Sequence, residues 1–380
     1  MEARRIIWQG ILLLFCALLP ARAQGIKAGP WVTQSGTNSL TILWTSEIPG
    51  TGLVELDGGK VIYDTYQGRR IFRRLHRVTV DGLGEGETIR YRVGGKNIKD
   101  DSNPKDPEFG DDYAGGWHSV RTLDPKAQSC RFSVFNDIHM RTSEYAALAS
   151  QVDSSATDFI FLNGDIVSAG NYVLDSLVHY AVEPLGDLPA GIPLMFTRGN
   201  HEGRGNNTPL VEEVFPHGDP APFYYAFRQG PVAFIVFDAG ETHSKRSVDY
   251  SGTPVFEEYL SAQIEWARKA LKEKWFRRAP VKVCLLHVPM IDPEEPRGFK
   301  IQRWLNHHFV PMLNKAGIDI MISADLHEFM YCERGTMGND FPILVNDDAR
   351  RLEFEYTRSG GIGIRTFNSD GVEEFRRTIR

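Results

Sequence analysis

The chain has 380 residues, of which 42% are hydrophobic and 24% charged, as in ordinary globular proteins with a sizeable core. At roughly 150 residues per domain, this length predicts about two domains. The formal net charge at pH 7 is −6, and no basic run occurs along the chain. A surface dedicated to nucleic acid would need an electropositive footprint, so no nucleic-acid partner is expected.

Residues 1–23 have the features of a secretory signal peptide. Arg4-Arg5 form a basic start, residues 11–19 are apolar, and Ala21-Arg22-Ala23 gives a small-x-small cleavage pattern. The apolar stretch is shorter than the ~20 residues that a membrane span requires. We therefore expect cleavage before Gln24, no membrane span in the mature protein, and a periplasmic or extracellular location. An uncleaved N-terminal anchor is the alternative.

Residues 25–122 have the pattern of a small all-β domain. Alternating apolar residues at 39–45, 52–56 and 76–80 are separated by glycine-rich turns, which predicts a β-sandwich. Residues 94–116 are polar and aperiodic, and we expect them to form a solvated loop. The three cysteines after the signal cannot all pair, and whether Cys130 and Cys332 form a bridge is left open.

Residues 128–380 alternate between strand and helix patterns, which predicts a layered α/β domain. Helices are expected over 143–152, 261–276 and 302–315, and strand patterns return over 341–345, 352–357 and 361–367. These late strands fit a second sheet. We therefore predict a four-layer α/β/β/α sandwich.

Five apolar segments of strand length each end at residues of types that bind metal ions. In an α/β sheet, ligands bind beyond the carboxyl ends of the strands, so these side chains are expected to meet there. Mixed nitrogen and oxygen ligands suit Mn, Fe or Zn better than Mg or Ca. The segments are 131–135, 159–162, 193–196, 281–286 and 318–322, and the residues that follow them are Asp137, His139, Asp165, Asn200, His201, His287, Asp325 and His327.

In their order and spacing, these residues resemble the five sequence blocks of the calcineurin-like metallophosphoesterase superfamily, from about residue 130 to 330. The β-rich region before them resembles the fibronectin type III-like domain of purple acid phosphatases and their bacterial relatives. Within it, residues 83–93 are similar to the corner between two strands of such a domain, with Tyr91 as the corner tyrosine. An ordinary hairpin is the alternative there.

The resemblance implies a pair of divalent metal ions. One ion would be held by Asp137, His139, Asp165 and His327, and the other by Asp165, Asn200, His287 and Asp325. It also implies that a hydroxide bridging the metals attacks the phosphate. His201 would protonate the leaving oxygen or stabilise its charge, Glu202 would orient His201, and Arg204 is a candidate phosphate contact.

Two positions depart from the family pattern. Purple acid phosphatases have a tyrosine ligand three residues after the bridging aspartate, where this chain has Ser168, so a purple iron site is not expected. Asp325 stands where the family usually has a histidine, after Ala324 in place of a glycine. A third carboxylate lowers the residual charge of the site and favours harder ions such as Mn or Fe.

The expected function is hydrolysis of phosphate mono- or diesters by an exported enzyme that acts on small molecules. A binding protein that retains the pocket but has lost turnover through Asp325 is the alternative. The sequence leaves open the natural substrate, the choice between monoester and diester, the metal, and the oligomeric state.

Overall fold

The structure is a computed structural model that describes most of the chain after the expected signal peptide. The signal-peptide prediction itself lies outside the described residues. Among the described residues, no helix combines the length and the apolar content that crossing a membrane requires. The described residues are 25–33, 35–168, 172–217, 221–242, 253, 255–291 and 301–379.

Strands dominate the N-terminal third. In chain order they are β1 Ile26–Thr33, β2 Ser39–Leu56, β3 Val61–Tyr63, β4 Thr65–Tyr66, β5 Arg69–Arg70, β6 Arg73–Asp81, β7 Thr88–Asp100, β8 Glu108–Ala114 and β9 His118–Arg121. β2 is 18 residues long and changes partners along its length. Its first half pairs with β1 and β6, and its second half pairs with β3 and β7.

β2 therefore belongs to two groups of strands, one with β1 and β6 and the other with β3 and β7. The two groups enclose a hydrophobic cluster of their own. It contains Trp44 and Val54 of β2, Val78 of β6 and Val93 of β7. The region is therefore strand-rich, as expected. Its likeness to fibronectin type III domains stays a prediction, as do the domain boundaries.

The polar segment 94–116 does not form the solvated loop that we expected. β7 and β8 pair across it in an antiparallel hairpin, with Gly94 opposite Ala114. β8 lies at the edge of its sheet, and most of its side chains face solvent. An edge strand needs little apolar patterning, so its sequence resembles that of a loop. Cys130 and Cys332 are both free thiols, so no bridge joins them.

From β10 onward, strands and helices alternate. The strands are β10 Ser129–Phe135, β11 Phe159–Asn163, β12 Leu194–Thr197, β13 Tyr225–Gln229, β14 Val232–Val236, β15 Val281–Leu285, β16 Ile320–Ser323, β17 Met330–Cys332, β18 Ile343–Val345, β19 Arg351–Thr357, β20 Gly361–Phe367 and β21 Glu373–Ile379. The helices are α1 Thr142–Ala149, α2 Leu174–Ala181, α3 Leu188–Gly191, α4 Pro209–Val214, α5 Phe256–Ala270, α6 Lys274–Arg277 and α7 Ile301–Ala316, with a 3₁₀ turn at Glu183–Leu185.

The two longest helices follow from their sequences. In α7, buried residues recur every four positions at Ile301, Leu305, Phe309 and Leu313, which places one apolar face against a sheet. α5 carries acidic residues in its first turn and basic residues in its last turn, an arrangement that the helix dipole favours. The helices expected over 143–152 and 302–315 are confirmed, with their ends shifted by a few residues. The single helix expected over 261–276 is instead divided, since α5 ends at Ala270 and α6 begins at Lys274.

Two sheets face each other. The first has the order β21-β20-β19-β10-β11-β12 and continues into the N-terminal strands, and the second has the order β13-β14-β15-β16-β18-β17. Phe132 of β10 and Phe234 of β14 meet edge to face across the interface, with ring centroids 5.3 Å apart. Helices cover the outer faces, α1 and α2 on the first sheet and α5 and α7 on the second. The predicted α/β/β/α sandwich is confirmed.

The strands that lead to the site are parallel and in register. Phe135 of β10 lies opposite Leu162 of β11, and Asn163 lies opposite Thr197 of β12. In the second sheet, Leu285 of β15 lies opposite Ile322 of β16. The carboxyl ends of these strands therefore meet along one edge of the sandwich.

The N-terminal region packs directly on the layered domain. β1 pairs with β12 at Thr33 and Leu194, and Trp31 donates from Nε1 to the carbonyl oxygen of Val214 at 3.0 Å. The buried hydroxyl of Tyr91 donates to the carbonyl oxygen of Ala190 at 2.9 Å. A tyrosine corner bonds to backbone a few residues upstream, so the interpretation of Tyr91 as a corner residue is wrong. Tyr91 is instead a junction residue.

The junction bond of Tyr91 leads to a stability prediction. Tyr91→Phe removes the donor and leaves the Ala190 carbonyl unpaired, so we expect the free energy of unfolding to fall by about 1–3 kcal/mol. Urea-induced unfolding of the metal-loaded protein measures this value. Tyr63→Phe, at a ring 40% exposed to solvent, is the matched control. Equal midpoints for Tyr91→Phe and wild type would contradict the prediction.

Candidate metal centre

The predicted ligands lie in the turns that follow the strands, and five of them have a left-handed backbone conformation. Positive φ is uncommon outside glycine, and among other residues aspartate and histidine tolerate it better than most. Such conformations cluster at functional sites, because the surrounding structure has to hold them. The five residues and their φ angles are Asp137 at 51°, His139 at 46°, Asp165 at 53°, Asp325 at 71° and His327 at 53°.

Two glycines let the turns after β11 and β12 approach each other. Gly164 has a φ of 77°, and a Cβ atom there would lie 2.3 Å from the backbone nitrogen of Gly199. A Cβ atom on Gly199 would lie 2.1 Å from Oδ1 of Asp165. Any side chain at either position would displace the carboxylate, which agrees with the tight turn expected at Gly164.

Asp165 lies at the centre of the site. Its Oδ2 is 3.3 Å from His287 Nε2, 3.8 Å from His139 Nε2 and 3.8 Å from His201 Nε2. Within the described part of the chain, three groups of side chains are close enough together to hold a metal ion, and Asp165 belongs to two of them. The groups are Asp137 with His139 and His327, His139 with Asp165 and His201, and Asp137 with Asp165 and His287.

Three buried atoms in this space have no hydrogen-bond partner among the residues that the structure describes: Asp137 Oδ1, His139 Nε2 and His287 Nε2. Asp137 Oδ1 lies 3.9 Å from the His139 atom and 3.8 Å from the His287 atom. Buried polar atoms are rarely left unpaired, so three that face one another indicate a missing common partner. Carboxylate oxygen and imidazole nitrogen are transition-metal ligands, and the donor set therefore fits a divalent ion.

The protonation of these residues also fits a metal. His287 donates from Nδ1 to the carbonyl oxygen of Asn163 at 2.7 Å, which directs Nε2 into the site. Burial lowers the pKa of His139 to about 4, although Asp165 opposes the shift, so this imidazole is neutral at pH 7 as a ligand must be. Burial would raise the pKa of Asp165, but His287 and His201 lower it to about 2.

Asp325 faces the same space from the second sheet. Its Oδ1 is 3.9 Å from His287 Nε2, and its backbone N–H donates to Asp137 Oδ2 at 3.2 Å. Burial, together with the carboxylates of Asp165 and Asp137, raises the pKa of Asp325 to about 6. In the orientation that gives both ends of the Asn200 amide a hydrogen-bond partner, its nitrogen donates to Asp325 Oδ1 at 3.1 Å and its oxygen accepts from Arg204 at 2.6 Å. Asp325 and Asn200 are therefore direct partners.

His201 lies at the edge of the ligand cluster, as the sequence predicted. Its Nδ1 bonds to the carbonyl oxygen of Ser168, and its Nε2 lies 2.7 Å from Nη1 of Arg204. A carbonyl only accepts and a guanidinium only donates, so in this arrangement Nδ1 carries the proton and Nε2 the lone pair. The structure thus brings Arg204 to His201, as its candidate role at the phosphate requires.

Glu202 does not orient His201, and this expectation is wrong. Its buried carboxylate accepts hydrogen bonds from four backbone N–H groups in the turns after β11 and β12, and among the described residues it makes no hydrogen bond to the His201 ring. Glu202 is therefore a positioning residue that holds the backbone on both sides of Asp165. The four donors and their distances are Asp165 at 2.8 Å, Ile166 at 2.7 Å, Val167 at 3.2 Å and Gly199 at 2.7 Å.

The structure adds residues that the sequence reasoning missed. Asp348 lies 3.5 Å from Nδ1 of His327 and bonds to Arg141, which also donates to the carbonyl oxygen of Asp137 at 2.7 Å. Gln302 donates to Asp325 Oδ2 at 3.4 Å, and Glu241 bonds to Arg204. Asp348 comes shortly after β18 and Glu241 shortly after β14, so the same strand-end signal was present for both.

Tyr172 is turned away from the metal ligands. Its hydroxyl donates to the carbonyl oxygen of Glu202 at 3.2 Å. Ser168, which occupies the position of the missing tyrosine ligand, places its hydroxyl 3.5 Å from His139 Nδ1. This placement agrees with the expectation that Tyr172 does not replace a tyrosine ligand.

A sequence profile of calcineurin-like phosphoesterases matches residues 130–329, more than half of the chain. The chain belongs to the calcineurin-like phosphoesterase family. This membership confirms the predicted family, whose members use divalent metals, and its matched segment contains every predicted ligand. The number and identity of the ions are not decided by the match.

One curated relative is the serine/threonine-protein phosphatase CPPED1 of Danio rerio, 28% identical over 176 residues. The match covers 44% of this chain and 53% of the relative, so the chain spans about half the length of the curated protein it matches.

Two solved structures share the fold. The purple acid phosphatase PPD1 from yellow lupin (Lupinus luteus) seeds has a TM-score of 0.68 and 14% identity, over 91% of this chain and 73% of that one. GAP50, the anchor in the inner membrane complex of Plasmodium, has a TM-score of 0.50 and 14% identity, over 67% of this chain and 89% of that one. At such low identity these likenesses show the fold alone.

The four bonds to Glu202 allow a test of its role. In Glu202→Gln the amide nitrogen replaces one oxygen and faces two N–H donors, so we expect the free energy of unfolding to fall by about 2–6 kcal/mol, at about 1–3 kcal/mol per unpaired group. Urea unfolding measures the loss. Glu212→Gln, on α4, is the control. A Glu202→Gln variant of wild-type stability that is slow only in turnover would restore the role in orienting His201.

Proposed function

We propose that the chain is an exported phosphoesterase that uses two divalent metal ions to hydrolyse phosphate mono- or diesters of small molecules. The observation that carries this proposal is the convergence of three unpaired buried atoms, Asp137 Oδ1, His139 Nε2 and His287 Nε2, beside the central carboxylate of Asp165. Membership of the calcineurin-like phosphoesterase family and similarity to a serine/threonine-protein phosphatase support it.

In this proposal, Asp165 would contribute to both ion sites, because it lies within reach of candidate ligands on both sides. Asp137, His139 and His327 would complete the ligands of the first ion, and His287, Asn200 and Asp325 those of the second. When bound, the two ions supply Lewis acidity towards the phosphate and lower the pKa of a water molecule. The mixed nitrogen and oxygen donors suit Mn, Fe or Zn, and the third carboxylate favours the harder of these ions.

The protein residues then position the phosphate and the leaving group. His201 holds its proton on Nδ1 against the Ser168 carbonyl, and its Nε2 accepts from Arg204. For His201 to act on the leaving oxygen, the bond between its Nε2 and Nη1 of Arg204 has to open, while the bonds of Arg204 to Glu241 remain. A bound phosphate favours this exchange, because charge-assisted bonds between arginine and phosphate are stronger than a bond to a neutral imidazole.

Metal content and activity test the proposal together. Protein purified without chelator is expected to contain about two transition-metal ions per chain by elemental analysis and to hydrolyse 4-nitrophenyl phosphate or its bis-aryl diester. Chelation should abolish turnover, and Mn, Fe or Zn should restore it. His287→Gln should lose metal and activity, whereas His179→Gln, at a surface position on α2, should retain both. A metal-loaded chain that hydrolyses neither ester would overturn the proposal.

A binding protein without turnover is the second candidate, and one observation favours it. Asn200 and Asp325, both expected at the second ion, already satisfy each other with a hydrogen bond. The Plasmodium structure, named as an anchor, shows that the fold also occurs in a protein with a different named role. The same elemental analysis on Asp325→His decides between the two. One ion or none in the native chain and two in the variant would favour the binding protein.

We also propose export, which rests on the basic start, the apolar core and the small-x-small pattern of residues 1–23. Mass spectrometry of the protein recovered from the periplasm or the medium is expected to find Gln24 at the N-terminus. Ala23→Leu, which alters the cleavage position, should leave the longer chain attached to the membrane. Protein recovered from the cytoplasm with residues 1–23 intact would contradict export.

A further inference from the structure

Arg204 connects the ligand cluster to a buried carboxylate that nothing so far has assigned. Its Nε and Nη2 donate to the two oxygens of Glu241 at 2.8 and 3.0 Å. The other edge of the guanidinium faces the site, with Nη1 2.7 Å from His201 Nε2 and Nη2 2.6 Å from the amide oxygen of Asn200. The side chain of Arg204 therefore links Glu241 to His201 and Asn200.

The pair is built to hold one orientation. The side chain of Glu241 is 4% exposed to solvent and that of Arg204 is 18% exposed, so the carboxylate is buried more deeply than the guanidinium. The backbone N–H of Thr242 donates to Glu241 Oε1 at 2.8 Å and fixes the carboxylate in turn. Two parallel bonds from one planar fork prevent rotation of the guanidinium, which a single contact would permit.

The position of this guanidinium bears on the choice between monoesters and diesters. If two ions are bound, they would polarise terminal oxygens of a bound phosphate, and a monoester would still have an oxygen left for a protein contact. A monoester has a third terminal oxygen, which is charged, whereas a diester has a second organic substituent at that position. His201 Nε2 is 3.8 Å from Asp165 Oδ2 and contacts Nη1 of Arg204, so only His201 separates the guanidinium from the carboxylate at the proposed ion sites.

We propose that Arg204, held in place by Glu241, recognises the third terminal oxygen and makes this site select phosphomonoester dianions over diesters. Arg204 is the specificity-determining contact and Glu241 is its positioning residue. The inference rests on the proposed function and adds the substrate class to it. In Glu241→Gln the bidentate carboxylate is lost, and in Arg204→Lys the planar fork is replaced by an ammonium group.

Two measurements on the metal-loaded protein test the inference. The first is kcat/KM for 4-nitrophenyl phosphate and for bis(4-nitrophenyl) phosphate, and the second is calorimetric titration with inorganic phosphate, which does not depend on turnover. In both variants we expect kcat/KM for the monoester to fall about 10- to 100-fold, the range for a lost charge-assisted contact, with the diester value nearly unchanged. Phosphate should bind about 10-fold or more weakly.

The exposed pair of Arg376 and Glu373 provides the matched control, since it is also bidentate, with both distances 2.6 Å. Arg376→Lys and Glu373→Gln should leave both measurements unchanged. Equal losses for monoester and diester, unchanged phosphate affinity, or loss of metal from Glu241→Gln would each overturn the inference. If the wild type hydrolyses neither ester, the proposed function fails. The phosphate titration then decides alone whether Arg204 and Glu241 recognise the anion.

Discussion

The carboxylates of Asp137, Asp165 and Asp325 share one largely buried space. Their mutual repulsion requires compensating positive charge, and the arrangement of the site depends on how that charge is supplied. At an effective dielectric constant of 20, two unit charges 4 Å apart interact by about 4 kcal/mol, so the cluster is unstable without compensation. Burial would lower the pKa of His287, but Asp165 and Asp137 raise it well above its usual value. Without a metal, a proton on His287 balances part of this charge, and bound divalent ions would replace that proton and balance the carboxylates instead.

The second constraint is the backbone that holds these carboxylates in place. Left-handed conformations outside glycine cost of order 1–3 kcal/mol each, so five adjacent ligands need substantial support. Glu202 supplies it for Asp165 by gathering four backbone N–H groups. The turn after β10 is held by backbone bonds from Asp137 to Gly164 and from His139 to Asp165, each 3.0 Å long. The turns after β10 and β11 are therefore joined to each other by hydrogen bonds.

The sequence predicted the parts of the site that follow from local pattern. Each of these strands ends near a predicted ligand, and parallel strands in register bring those ends together, so pattern and topology sufficed to place residues such as Asp165 and His287 in one space. The role of Glu202 was mispredicted because its partners are backbone N–H groups, which no side-chain pattern reveals. Asp348 was missed because its contact with Arg141 spans 207 positions in the chain. The N-terminal hairpin was missed because an exposed edge strand has a polar sequence.

Asn200 couples the metal site to the guanidinium. With its amide nitrogen on Asp325 and its oxygen on Arg204, both contacts are satisfied without a metal. Turning the amide over places its oxygen 3.1 Å from Asp325 Oδ1, where two oxygens repel unless a cation lies between them. The same turn directs the amide nitrogen at Arg204, which then loses an acceptor. In the proposed dinuclear site, an ion at the second position would thus free a donor of the guanidinium for the phosphate, and this one amide would link metal binding to substrate recognition.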